Sequence, residues 1–180
     1  MSSEQGMPRV GHFEKVSLEQ FKKDMKEEFY DTFSDKRIKE IYDTIILPTR
    51  ATVGSAGYDF RTPLGFDLEP DDSIKIPTGI RAIIKDGWFL GCVPRSGLGF
   101  KYEVRLWNTF GVIDSDYSTS KNEGHIFVKF RNGEKALSVT QGDRIFQAML
   151  LPYGVTDDDE TEGVRHGGFG STSNKLECSL

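Results

Sequence analysis

Two hydrophobic rhythms divide this chain. Near the start, Leu18, Phe21, Met25 and Phe29 recur at helical spacing, separated by Glu, Gln, Lys and Asp. Apolar residues three and four apart share one face of a helix, so the stripe predicts an amphipathic helix over about Ser17 to Phe33. Ser17-Leu-Glu-Gln20 before it reads as a capping box: a hydroxyl on a first-turn N–H, answered by an amide side chain three residues on. Phe13 to Val16 predicts a short strand ahead of the helix, and Ile38, Ile41 and Tyr42 predict a second helical turn or two behind it. From Thr44 the period shortens. Short β-type runs follow at Thr44–Leu47, Gly57–Arg61, Ser73–Ile76, Ile80–Ile84, Trp88–Val93, Glu103–Leu106, Ile126–Arg131, Ala136–Val139 and Arg144–Leu151. Turn residues stand between them at Glu69-Pro-Asp-Asp72, Lys85-Asp-Gly87, Arg131-Asn-Gly133 and Gln141-Gly-Asp143. Many short, evenly spaced strands predict an all-β sandwich or barrel.

The 180 residues are enough for one domain with a sizeable core. We divide them into an N-terminal segment (1–43) with the strand and helix, a β domain (44–156), and an acidic loop with a flexible C-terminal arm (157–180). The net charge of -5 gives no electrostatic case for binding nucleic acid or an anionic membrane. No apolar run reaches the length of a membrane span, and charge throughout the first thirty residues argues against a signal peptide. A cytoplasmic location is the expectation. Cys92 sits in an apolar run as a small buried hydrophobe, Cys178 lies in the tail, and neither has metal-ligand neighbours. The apolar helical stripe packs on the domain in the simpler reading and binds a protein partner in the other. Asp157-Asp-Asp-Glu160 reads as a solvated linker. His12 and His125 join no obvious constellation.

Five segments carry candidate chemistry. Pro94-Arg95-Ser96-Gly97 offers a guanidinium, a hydroxyl and an unhindered amide within four residues. Arginine suits bidentate phosphate contact and glycine permits close approach, although a strand-to-loop turn with a surface arginine has the same composition. Asn108-Thr-Phe-Gly-Val-Ile-Asp114-Ser-Asp-Tyr117 places a carboxylate three residues before an aromatic ring, which suits proton handling beside a stacked nucleoside or an ordinary hairpin turn. Ala56-Gly-Tyr-Asp59-Phe60 and Gly142-Asp-Arg-Ile-Phe-Gln147 add two more polar clusters. Arg165-His-Gly-Gly-Phe169-Gly170-Ser171-Thr172 is glycine-rich, but lacks the lysine ending and following helix of a P-loop.

In this order the five segments resemble the motifs of the homotrimeric dUTPases, over roughly Thr44 to Ser173. The resemblance implies an all-β, jelly-roll-like (β-clip) subunit with a helical insertion near the N-terminus, and a homotrimer with three shared sites. It implies hydrolysis of dUTP to dUMP and pyrophosphate with Mg²⁺, which keeps uracil out of DNA and supplies dUMP. By that resemblance Asp114 is the general base for water attacking the α-phosphorus. Asp59 helps hold Mg²⁺ through water, with the triphosphate. Arg95, Ser96 and Gly97 meet the phosphates, and Gln147 reaches a phosphate or a metal-bound water. Asn108 and the backbone of Gly111, Val112 and Ile113 read uracil, whose pairing edge presents a carbonyl, an N–H and a second carbonyl. Tyr117 lies under the deoxyribose and leaves no room for a 2′-hydroxyl. Asp116 is solvent-facing or structural, and Asp143 and Arg144 stand at a subunit contact. The C-terminal arm closes over another subunit's site, with Phe169 and Gly170 at the base and Arg165, Ser171 and Thr172 at the terminal phosphates.

Three departures from the family pattern stand out. Ser118-Thr119 replaces the usual Arg-Gly after Tyr117, and Ser120-Lys-Asn-Glu-Gly124 follows as an insertion. Arg165 is one residue closer to Phe169 than in the commoner spacing. The Ser17–Phe33 segment is additional. Two rival functions remain. The dCTP deaminases share the fold but need a glutamate on the strand after the hairpin, and His125-Ile-Phe-Val-Lys-Phe130 carries no acid. A regulatory binding protein on this fold is the other.

Overall fold

The computed structural model describes residues 6–163. Strand β1 (Gly11–Lys15) leads into helices α1 (Leu18–Glu28) and α2 (Asp35–Asp43). The chain continues through β2 (Thr49–Arg50), β3 (Tyr58–Arg61), β4 (Phe66–Leu68), β5 (Ser73–Pro77), β6 (Ile80–Ile84) and β7 (Trp88–Pro94). A short helix, α3 (Ser96–Tyr102), precedes β8 (Arg105–Leu106) and β9 (Gly111–Ile113). A 3₁₀ turn (Ser115–Thr119) then leads to β10 (Phe127–Arg131), β11 (Leu137–Val139) and β12 (Arg144–Pro152). All strand pairs are antiparallel, in sheets ordered β2-β3-β12-β7-β9, β5-β10-β8, β1-β6 and β4-β11.

Alternation builds these strands. Val128 and Phe130 of β10 face inward while Lys129 and Arg131 face out, the period of two expected of a sheet with one wet face. The centre is aromatic: Phe60 of β3 stacks on Phe146 of β12 with ring centroids 4.4 Å apart, and both are fully buried. Such a pair adds to ordinary apolar burial.

The helices join this core. Phe21, Met25, Ile38, Ile41 and Ile45 are buried in one cluster with Phe60, Ile80 and Phe146. The apolar stripe is therefore covered from within the chain, which leaves the protein-partner reading of that stripe without support. Helix α1 ends at Glu28, five residues short of the expected Phe33. Tyr30 and Asp31 adopt left-handed backbone (φ 50° and 58°), and Ser34 then caps α2 through Arg37 N–H. The expected strand over Thr44–Leu47 is absent. Thr44 caps α2 and Ile45 drops into the core, so the apolar run is an anchor and pairing starts only at Thr49. Helix α3 was not foreseen.

Candidate functional site

A cavity of about 450 Å³ opens between the β7–β9 edge and β10. One wall is the segment from Asn108 to Tyr117. Thr109, in left-handed backbone (φ 63°), donates its N–H to Leu106 O at 2.9 Å, and Phe110 N–H donates to Asn108 O at 2.6 Å. The chain reverses there, and Gly111, Val112 and Ile113 pair with Cys92, Gly91 and Leu90 of β7. Asn108, Gly111, Val112, Ile113, Asp114 and Tyr117 all line the cavity. Cys92 and Phe146 form its apolar floor, and burial pushes the Cys92 thiol up to about 12. It is an inert wall there, as a thiolate is the reactive form.

Among the described residues, Asp114 is the only carboxylate lining the cavity. It precedes the 3₁₀ turn in extended backbone (φ -75°, ψ 160°), and its side chain makes no capping bond to that turn. Asp116 is exposed and outside the cavity lining. Tyr117 is 5% exposed, and its hydroxyl donates to His125 O at 2.8 Å and accepts from Asn122 Nδ2 at 2.9 Å.

A second polar group forms where β3, β12 and β7 run side by side. Gln147 pairs in register with Asp59 on one side and Val93 on the other. Asp59 accepts from Arg95 Nε at 2.8 Å on Oδ1 and from Arg144 Nη1 at 3.3 Å on Oδ2. Gln147 Nε2 donates to Pro94 O at 3.4 Å. Arg95 stands just before α3, and Ser96 and Gly97 begin it, where first-turn amides lack intrahelical acceptors. None of Asp59, Arg95, Ser96, Gly97 and Gln147 lines the cavity. Asp143 caps its own turn, its carboxylate accepting from Thr140 N–H at 2.8 Å. Arg165, Phe169, Gly170, Ser171, Thr172 and Cys178 lie outside the described residues.

A dUTPase family profile matches residues 43–173. The chain belongs to the dUTPase family. It is 38% identical over 132 residues to the deoxyuridine 5'-triphosphate nucleotidohydrolase of Lactococcus lactis, covering 71% of this chain and 88% of that one. The enzyme of that name from Mannheimia succiniciproducens is 40% identical over 139 residues, covering 72% and 88%. The dUTPase crystal structure from Streptococcus mutans superposes with a TM-score of 0.60 at 27% identity, covering 81% of this chain and 98% of that one. The antiparallel sheets are those of the dUTPase β fold.

Within that dUTPase fold, Lys75, Trp107, Phe127 and Lys129 also line the cavity. Lys75 and Lys129 face each other across β5 and β10. Lys129 Nζ sits 4.0 Å from the Trp107 ring centroid, a cation–π contact. Sequence alone missed Lys75, Phe127 and Lys129 because they come from β5 and β10, strands remote from the family motifs, and missed Trp107 although it directly precedes Asn108. His125, given no role from sequence, is fully buried and bonded on both ring nitrogens. No helix among the described residues is long and apolar enough to cross a membrane.

Proposed function

We propose that this chain hydrolyses dUTP to dUMP and pyrophosphate, with Asp114 activating the water that attacks the α-phosphorus. The observation that carries the reading is the cavity. Its described lining holds a hairpin of backbone donors and acceptors, a buried tyrosine and the Asp114 carboxylate in a volume suited to a small ligand. Asn108 and the Gly111–Ile113 backbone read the pairing edge of uracil. Cytosine would oppose an amino group to a donor, leaving buried groups unpaired. Tyr117 packs beneath the deoxyribose and excludes a 2′-hydroxyl. Asp114 takes the proton of the attacking water, and the new P–O bond forms as the bond to pyrophosphate breaks. This activity supplies dUMP and keeps dUTP out of DNA synthesis.

Arg95, Ser96, Gly97 and Gln147 bind the phosphates. Their separation from the cavity in one chain supports a homotrimer in which one subunit's arginine group meets its neighbour's cavity. The tail past residue 163, with Arg165, Phe169, Gly170, Ser171 and Thr172, closes over base and terminal phosphates. Asp59 suits Mg²⁺ held through water. Both its oxygens are already held by arginines, and no group of three His, Cys, Asp or Glu among the described residues forms a direct site. Magnesium keeps several waters and takes phosphate oxygens, so one indirect carboxylate is enough; when bound it offsets triphosphate charge. A structure of the dUTPase from phage phi11 of S. aureus is described as coordinating a structural Mg(II) ion.

Incubation with Mg²⁺ and, separately, dUTP, dCTP, dTTP and UTP tests the reading. Pyrophosphate from dUTP alone is expected. Ammonia from dCTP would assign the fold to deamination instead. No product from any of the four would refute catalysis and favour a binding role.

A further inference from the structure

Helix α1 and the 120–125 loop are locked together. Ser17 at the start of α1 donates its N–H to Glu123 Oε2 and its hydroxyl to Glu123 Oε1, both at 2.7 Å. About two turns further along, Asp24 is buried, and its Oδ2 meets His125 Nδ1 at 2.5 Å and accepts from Gln20 Nε2 at 2.8 Å. His125 Nε2 accepts the N–H of Gly79 at 2.7 Å. An amide N–H only donates, so the imidazole proton sits on Nδ1 and points at Asp24. The ring is thus fixed in tautomer and orientation by two different segments.

The same loop holds Tyr117. The His125 carbonyl and the Asn122 amide both bond the Tyr117 hydroxyl. Glu123 and Gly124 are both in left-handed backbone (φ 58° and 71°). A Cβ on Gly124 would lie 2.6 Å from Ser118 Cα and 2.9 Å from Tyr117 O, so the loop presses directly on the backbone of the tyrosine turn.

We propose that α1 and the 120–125 loop form one clamp that positions Tyr117, with Asp24 and His125 as its positioning residues for sugar discrimination. The proposal rests on the dUTP reading of the cavity. Tyr117 can exclude a 2′-hydroxyl only if its ring is held against displacement. The clamp supplies that hold from an element outside the cavity, since no residue of α1 lines it.

The test is the ratio of kcat/KM for dUTP to that for UTP, in the full chain. Asp24→Ala should lower the ratio by about tenfold, with KM for dUTP rising more than kcat falls, because small displacements at a positioning contact weaken selectivity first. Asp24→Asn, which keeps an acceptor oxygen for His125, should recover most of the ratio. Tyr42→Phe removes a different anchor of the helical segment, Tyr42 hydroxyl to Val16 O at 2.7 Å, and should leave the ratio unchanged. Glu123→Gln provides a surface arm should Asp24→Ala fail to fold, and should lower the ratio in the same direction. A folded Asp24→Ala protein, or a Glu123→Gln protein, with the wild-type ratio would overturn the clamp. A wild-type protein that turned over UTP as readily as dUTP would overturn the reading of Tyr117, and the clamp with it.

Discussion

Replacing Asp114 with asparagine isolates proton transfer from binding. The change keeps size and shape and removes the only carboxylate among the described residues that lines the cavity. General-base catalysis by a positioned side chain is worth about 10²–10⁴-fold, equivalent to about 2.7–5.4 kcal/mol in the barrier. We expect kcat to fall within that range. Asp116, two residues on, lies outside the cavity and is no substitute base. Binding should survive, because the hairpin backbone, Asn108 and Tyr117 are untouched. The assay is steady-state pyrophosphate release from dUTP, alongside calorimetric titration with dUMP and a thermal melt. Turnover within tenfold of wild type, in a protein that binds dUMP normally, would remove Asp114 as the base. Loss of dUMP binding would show that the carboxylate holds the nucleoside, and the division of roles would be wrong.

Truncation before Arg165 should leave the melting temperature within a few degrees, because the buried cluster that joins Phe21, Met25, Ile38 and Ile41 to Phe60, Ile80 and Phe146 lies wholly before the cut. Pyrophosphate release should fall sharply; an unchanged rate would make the tail dispensable. Glu123→Gln should also show a signed pH dependence. Burial opposes the Glu123 charge, but hydrogen bonds from the Ser17 side chain and N–H, with Arg81 and His125 nearby, hold its pKa below the usual value. A depressed carboxyl stabilises the fold above its unfolded pKa, and that contribution is lost as pH falls through the folded value. The wild-type melting advantage over Glu123→Gln should therefore be full near neutrality and shrink toward strong acid. Solvent screening keeps it under about 1 kcal/mol. An advantage that grew with acidity would contradict the assignment.

What the sequence disclosed tracks how local each interaction is. Helix α1 was legible because Phe21 and Met25 repeat on one face, and the Asn108–Tyr117 wall because ten consecutive residues build it. Helix α3 was hidden by its composition. Gly97 and Gly99 are poor helix formers, and Glu103 stops it in left-handed backbone (φ 57°). Thr44–Leu47 misled because one apolar run serves equally as a strand or as a plug, and burial of Ile45 decides between them only in three dimensions. Lys75 and Phe127 enter the cavity through the β5–β10 pairing, a contact across about fifty residues of sequence that no local pattern encodes.

The capping box shows how a correct local rule can have a distant partner. Ser17 does cap α1, its hydroxyl accepting from Gln20 N–H at 3.1 Å. Gln20 does not answer it; its side-chain amide turns inward to Asp24. The Ser17 N–H is satisfied by Glu123 instead, 106 residues away in sequence. Sequence offered the two additions, the N-terminal helix and the loop after Tyr117, as separate departures from the dUTPase pattern. A helix end must satisfy its donors, and a buried carboxylate must be paired. Here both demands on α1 are met by the loop. The two additions are thus bonded to each other at both demands, and the loop is fastened to the turn that carries Tyr117.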